Sequence, residues 1–255
     1  MRRLFAPRWI LVHVSVALLI LLMVNLGFWQ LNRLDAKKTR NESINAQIQR
    51  PAVDLSPTTA FDALGPEWSK VVLKGEYSSK DAITIINRSL DGAAGYNSAI
   101  PFITTNGQVV LVNRGFVPLA TSNPPAPSGP LQILGYVRQT QKRSAVGAID
   151  SSSPDSTEFQ RFDLAVIANA TDARLLTNDY VQLIDYVQLN AEIPTTKESW
   201  PAPVALPTLD EGSHLSYAFQ WFFFTATALT GWIYVVRKKL HEPINDPAAP
   251  EQTSA

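Results

Sequence analysis

The stretch GSHLSYAFQWFFF, residues 212–224, sets an imidazole at the head of a strongly apolar run and follows it with a phenol and an indole. On a helix extended back through this stretch, His214, Tyr217 and Trp221 stand at i, i+3 and i+7 and form one polar and aromatic stripe. An imidazole there can ligate a metal, cap the helix or hydrogen-bond at a wet interface, and the residue types alone leave these open. The chain offers few rivals for metal or nucleophile chemistry. Its three histidines are His13, His214 and His241, and it has no cysteine, which excludes disulfides, thiolate zinc sites, CxxC redox chemistry and cysteine nucleophiles. A second set, Trp29, Arg33 and Lys37, falls at i, i+4 and i+8 and so reads as one helix face. Such a face suits lipid headgroups, the carboxylates of a partner or the acidic groups of a cofactor, and equally plain anchoring at a membrane interface.

Two apolar segments must position these residues. The first, WILVHVSVALLILLMVNLGFWQ from Trp9 to Gln30, has no formal charge and, at about 1.5 Å per residue, can cross roughly 30 Å of hydrocarbon. Arg2, Arg3 and Arg8 precede it, as in a signal peptide, but the apolar region is too long for one and no small-x-small cleavage site follows. The second, YAFQWFFFTATALTGWIYVV from Tyr217 to Val236, is about one bilayer long and has aromatic residues at both ends, where interfacial anchors sit. Asp210 and Glu211 precede it while Arg237, Lys238 and Lys239 follow, so the excess of basic residues puts its C-terminal end in the cytoplasm. The expected plan is a cytoplasmic N-terminus over 1–8, a transmembrane helix over 9–30, an extracytoplasmic β-rich domain over 31–213, a second transmembrane helix over 214–236 and a cytoplasmic tail over 237–255. His13 and His214 then lie near opposite membrane faces, roughly 30 Å apart, and cannot share a ligand, and His241 is cytoplasmic.

The 22 basic and 22 acidic residues balance, which gives no basis for binding nucleic acid, and the twelve glycines form neither GxGxxG nor a Walker loop. After an amphiphilic, helical continuation to about Arg50, the pattern changes to period two. VVLKGEY puts Val71, Leu73 and Tyr77 on one face, QVVLVNR sets Val109 and Leu111 opposite Val110 and Val112, and LQILGYVR and YVQLIDYVQL continue alike. Asn106-Gly107 between two apolar runs predicts a two-residue hairpin turn, and Pro101 predicts an edge or a bulge. DLAVIANA predicts one helix with Asp163 as its cap. SNPPAPSGP reads as a stiff connector and SAVGAIDSSSPDST as a polar, mobile one. Asn87-Arg88 and Asn113-Arg114 each close an apolar run, where an arginine either binds an anion or carboxylate or is a solvated charge at a sheet rim. The fold class expected is membrane-anchored α+β: two transmembrane helices flanking a mainly antiparallel domain, a curled or barrel-like sheet with a minor helix.

LGFWQLNRLDAKK at the end of the first helix, GYNSAIPF followed by NGQVVLVNRGFVP in the domain, and HLSYAFQWF opening the second helix together resemble the surfeit locus protein 1 family, assembly factors of haem-copper cytochrome c oxidase. The resemblance runs from Leu26 to about Phe222 and covers Gly27, Trp29, Gln30, Arg33 and Lys37, then Gly95, Tyr96, Pro101, Gly107, Asn113, Arg114 and Gly115, then His214, Tyr217 and Trp221. Phe116 departs from the usual tryptophan, and Gly212-Ser213 from the usual asparagines. The resemblance implies a non-enzymatic chaperone of respiratory-chain biogenesis in a bacterial cytoplasmic membrane. Its implied partners are oxidase subunit I, the haem a synthesis machinery and lipid, and its implied cargo is haem a. In that reading His214 ligates the haem iron, Tyr217 and Trp221 border the macrocycle, Arg33 or Lys37 meets the propionates, and Trp29 belongs to the same cofactor-binding set. A cofactor-free scaffold of the same complex and a membrane-tethered extracytoplasmic hydrolase are the alternatives. Copper delivery is excluded by chemistry, since the chain has no cysteine and only Met1 and Met23 as soft ligands.

Overall fold

The computed structural model describes residues 6–58, 61–78, 82–151, 153, 156–171, 174–189 and 200–241. Residues 1–5, the expected tail beyond His241, and Ser152, Pro154 and Asp155 of the SAVGAIDSSSPDST connector lie outside the described residues. The described chain contains helices α1 (Pro7–Gln49), α2 (Leu164–Thr171) and α3 (His214–His241). Its strands are β1 (Val53–Asp54), β2 (Lys70–Tyr77), β3 (Ile83–Leu90), β4 (Ala93–Thr104), β5 (Val109–Pro118), β6 (Leu131–Gln139), β7 (Glu158–Phe159) and β8 (Asp179–Gln188). The chain forms two compact units, Met1–Asn41 with Leu209–Ala255, and Glu42–Thr208.

The second unit is built on a closed five-stranded barrel, β2-β6-β8-β5-β4, with β4 returning to pair with β2. Most ladders are antiparallel, but β5 and β8 run parallel through Val112↔Val181 and Asn113↔Gln182. Closure needs a residue without a side chain. Gly75 pairs with Leu131 on one side and Thr104 on the other, and a Cβ there would lie 2.0 Å from the Ile103 carbonyl oxygen.

Burial explains why QVVLVNR has no polar face. Val110 and Val112 point into the barrel with Val71, Leu73, Phe102, Leu131, Ile133, Val137 and Val181. Leu111, on the other face, joins a second core outside the barrel wall, made with Ile83, Ile85, Phe159, Phe162, Tyr180 and the α2 residues Leu164 and Ile167. A strand buried on both faces reads as a continuous apolar run rather than an alternating one. Within α2 the helix opens as its sequence predicts, with the Asp163 carbonyl accepting from the Ile167 N–H at 2.9 Å.

The turns differ from expectation in an instructive way. The Asn106-Gly107 connection is a three-residue loop: Thr104 pairs with Gln108, and the Gly107 N–H donates to the Thr104 carbonyl at 2.8 Å. Gly107 alone has positive φ, +82°, while Asn106 stays right-handed because its side chain bonds Thr104 Oγ1, the Gln108 N–H and the Thr58 carbonyl. The true two-residue hairpin is at Asp91-Gly92, where Leu90 pairs with Ala93 and both turn residues have positive φ, 49° and 83°. Pro101 lies inside the sheet, not at its edge, where one side of β4 passes from β3, last paired at Ala99, to β2, first paired at Phe102. In that gap the missing N–H costs no ladder bond, and the Pro101 carbonyl accepts from the Ser78 N–H at 2.9 Å.

Candidate functional site

The helix unit sets the His214 end of α3 beside Gln30 and Lys37 of α1. Contacts between His214 and Gln30, Phe222 and Gly27, and Trp232 and His13 show α1 and α3 running antiparallel. They approach closely where the side chains are small: Ala218 is buried, and a Cβ on Gly27 would lie 2.7 Å from the Phe222 ring. Phe222 also meets Phe28 edge to face at 5.5 Å.

At the upper end of this seam, Nδ1 of His214 lies 2.9 Å from Oε1 of Gln30. An amide oxygen can only accept, so in this contact Nδ1 is the donor, and in the neutral ring Nε2 then keeps the lone pair. This is how a second residue orients an imidazole for a metal. Three further contacts hold the chain leading into α3 against α1. Lys37 Nζ donates to Asp210 at 2.8 Å, Asn41 Nδ2 donates to the Asp210 carbonyl at 3.0 Å, and Lys38 lies 3.5 Å from Glu211. Gly212, at φ +70°, then turns the chain, and the Ser213 carbonyl takes the first helical bond from the Tyr217 N–H at 3.1 Å. Gly212-Ser213 therefore supplies a working helix start in place of asparagines.

The other selected residues divide. Eight residues on an α-helix leave an offset of about 80°, so Lys37 and Trp29 diverge. Lys37 faces the α3 lead-in, whereas Trp29 is 53% exposed and Arg33, also exposed, has no hydrogen bond or ion pair among the described residues. On α3, His214 and Trp221 are half-buried and Tyr217 is 49% exposed. Trp221 meets Phe224 edge to face at 6.2 Å. The sequence reading used Asp210 only for orientation and Gln30 only within the resemblance, and gave neither a contact at the site. Their available signals were a polar amide closing an apolar run on the Gly27 face, and an acidic pair opposite the Lys37-Lys38 pair.

The remaining histidines are engaged elsewhere. Trp232 Nε1 donates to His13 Nδ1 at 3.2 Å near the far end of the pair, and His241 Nδ1 donates to the Arg237 carbonyl at 2.8 Å. No group of three or more His, Asp or Glu capable of holding a metal occurs among the described residues.

Both Asn-Arg pairs are placed differently from expectation. Each sits at a bulge beside β4 rather than at a strand end. Arg114 is buried and donates to the carbonyls of Pro124 and Pro125 at 2.8 and 3.0 Å, pinning the proline-rich connector. Arg88 donates to the carbonyls of Ile86, Asn87 and Gln160. Gly115, at φ +130°, lets residues 200–208 cross β5: a Cβ would lie 2.1 Å from the Ala202 carbonyl, and Phe116 and Ala202 exchange backbone bonds at 2.8 Å. These residues of the domain motif build structure.

The comparisons with known proteins extend over most of the chain. A SURF1-like protein of Rickettsia felis is 35% identical over 239 residues, covering 89% of this chain and 96% of its own. A SURF1-like protein of Mycobacterium bovis is 28% identical over 238 residues, covering 91% and 84%. Surfeit locus protein 1 of Mus musculus is 22% identical over 227 residues, covering 81% and 70%. The profile of the SURF1 family spans residues 17–226, from within α1 past the His214 seam, and the chain belongs to that family.

Proposed function

We propose that this chain is an assembly factor of haem-copper cytochrome c oxidase. It holds haem a as cargo at the seam of α1 and α3 and passes it toward oxidase subunit I, in concert with the haem a synthesis machinery and without turning over a substrate of its own. The observation that carries the reading is the His214–Gln30 bond at 2.9 Å, because it leaves Nε2 as the ligating nitrogen of an imidazole whose ring is held in place. Haem a brings an iron with an axial position for such a nitrogen and two propionates that need cations. Arg33 is the better placed cation, since Lys37 must first give up Asp210. The exposed faces of Trp29 and Tyr217 suit a macrocycle whose tail stays in hydrocarbon.

The protein resides in a bacterial cytoplasmic membrane with both termini in the cytoplasm and the barrel outside. Two helices long and apolar enough to span, and the switch from Asp210 and Glu211 to Arg237, Lys238 and Lys239 across α3, support that orientation. Alkaline phosphatase fused after Thr208 should be active and after His241 inactive, and the reverse pattern overturns the topology.

Purified in mild detergent from cells that make haem a, the protein should carry a haem a spectrum. Deleting its gene should lower membrane haem a and oxidase activity while haem b stays. Full oxidase activity in a deletion strain with no second gene copy sinks the assembly role. An oxidase defect with haem-free protein would leave the scaffold reading in its place.

A further inference from the structure

The connector after β6 carries its polar and apolar groups the wrong way round for a mobile, solvated loop. Val146 is 98% exposed and Ile149 78%, with Ala145 and Ala148 exposed beside them. The charged groups turn onto the backbone instead. Arg143 donates through Nε to the Gly147 carbonyl at 2.8 Å and through an Nη to the Ala145 carbonyl at 3.4 Å. Arg161 pairs with Asp150 and also donates to the Ala148 carbonyl. The Asp150 side chain is only 3% exposed and accepts from the Gln160 N–H as well. Within the tip the Gly147 N–H donates to the Ser144 carbonyl at 3.0 Å, and a Cβ on Gly147 would lie 3.3 Å from Arg143 Cγ, so the arginine stem is folded onto the turn.

Two arginines therefore fix the backbone of a loop that has almost no apolar packing of its own. Ordering a loop costs conformational entropy, and this ordering serves to hold two β-branched side chains out in water. The loop's acid is neutralised and buried, and Lys142 remains as an exposed cation at its base. We propose that residues 142–150 are a docking knob for a protein partner, with Val146 and Ile149 entering an apolar pocket whose rim carries carboxylates opposite Lys142. Lipid is the poorer match: bilayer interfaces favour tryptophan and tyrosine, which this loop lacks, and a fluid surface needs no preset backbone shape. Two side chains make a small contact, which suits transient association.

The chain has no cysteine, so Ala145→Cys introduces its only thiol, beside the knob. Labelled there with a benzophenone maleimide and illuminated in membranes of its own cells, the full chain should form one discrete protein adduct. The adduct should map by mass spectrometry to a partner peptide with apolar residues flanked by Asp or Glu. Ile149→Asp should reduce its yield about tenfold and Lys142→Glu about threefold, with unchanged melting of both variants. The same label at Ser122→Cys should not form it. Adducts to lipid, adducts indifferent to Ile149→Asp and Lys142→Glu, or no adduct at all would each overturn the proposal.

Discussion

In β5 the neighbours Val110 and Leu111 are both fully buried; in α1 the neighbours Leu11 and Val12 are 68% and 44% exposed. The residue types are alike and the accessibilities are opposite. The barrel unit hides its apolar side chains in two cores on either face of one sheet, whereas Leu18, Phe219 and Phe223 of the helix pair remain 61–68% exposed. A core helix of a soluble domain would be mostly buried, but the apolar windows of α1 and α3 are 11% and 0% buried. The same chemistry thus meets two solvents, and the two units are specified differently. Packing volume decides the barrel. Close approach at Gly27 and Ala218 together with a few polar contacts, at Gln30, Lys37, Asn41 and His13, sets how the helices register.

That contrast predicts a ranking of damage. Phe102→Ala, at a fully buried barrel position, should cost about 3–5 kcal/mol in denaturant unfolding of the barrel while the helices stay inserted. A loss below about 1 kcal/mol would mean that volume does not govern this unit. Gln30→Leu should do the opposite: barrel stability unchanged, and affinity for haem a lower by about 10–100-fold, the usual cost of removing a group that orients a metal-bound imidazole. Titration of haem a into protein in detergent reads it directly. Equal affinity in the variant would show that the His214–Gln30 bond is only structural.

Much of this division was legible in the sequence, and the exceptions have physical causes. The apolar helices follow from length alone, β2, β6 and β8 from their periodicity, and β5 from its apolar run. A barrel-like sheet was expected, but how it closes was not legible, because closure depends on Gly75 admitting the Ile103 carbonyl and on a parallel register between β5 and β8, whose paired residues Val112↔Val181 and Asn113↔Gln182 lie 69 residues apart. The two turns carried the same kind of signal, Asx-Gly, and only tertiary bonding of the Asn106 side chain separated a three-residue loop from the two-residue one at Asp91-Gly92. Arg114 left an anion site and a rim charge open because nothing in one strand reveals that the proline segment ten residues on will present carbonyls to it. At the seam, His214 stood out by type, while Gln30 is uncharged and gains meaning only once α3 lies against it.

Smaller effects sharpen the comparison. Arg33→Ala should weaken haem a binding more than Lys37→Ala, because Lys37 is held by Asp210; titration of both variants tests the order, and the reverse order would place the propionates at Lys37. Lys37→Ala itself should change stability by less than about 1 kcal/mol, as for any partly exposed ion pair. In the barrel, burial holds the Asp179 carboxyl above its ordinary range despite the bond from the Leu64 N–H. A raised folded value means that the charged form opposes folding, so this group's cost is present at neutral pH and is relieved as pH falls through the raised value. Asp179→Asn, which keeps an acceptor for Leu64, should flatten that part of the stability profile between pH 7 and 4. An unchanged acid profile would assign the dependence to other groups.

The central claim is that His214 Nε2 is the ligand, and the most direct measurement is the haem a spectrum and occupancy of His214→Ala expressed at the normal level and inserted normally in the membrane. Alanine costs the helix nothing in propensity, so insertion should persist while occupancy falls and the spectrum shifts. A full complement of haem a with an unchanged spectrum would contradict the account and leave His214 as an interfacial cap bonded to Gln30.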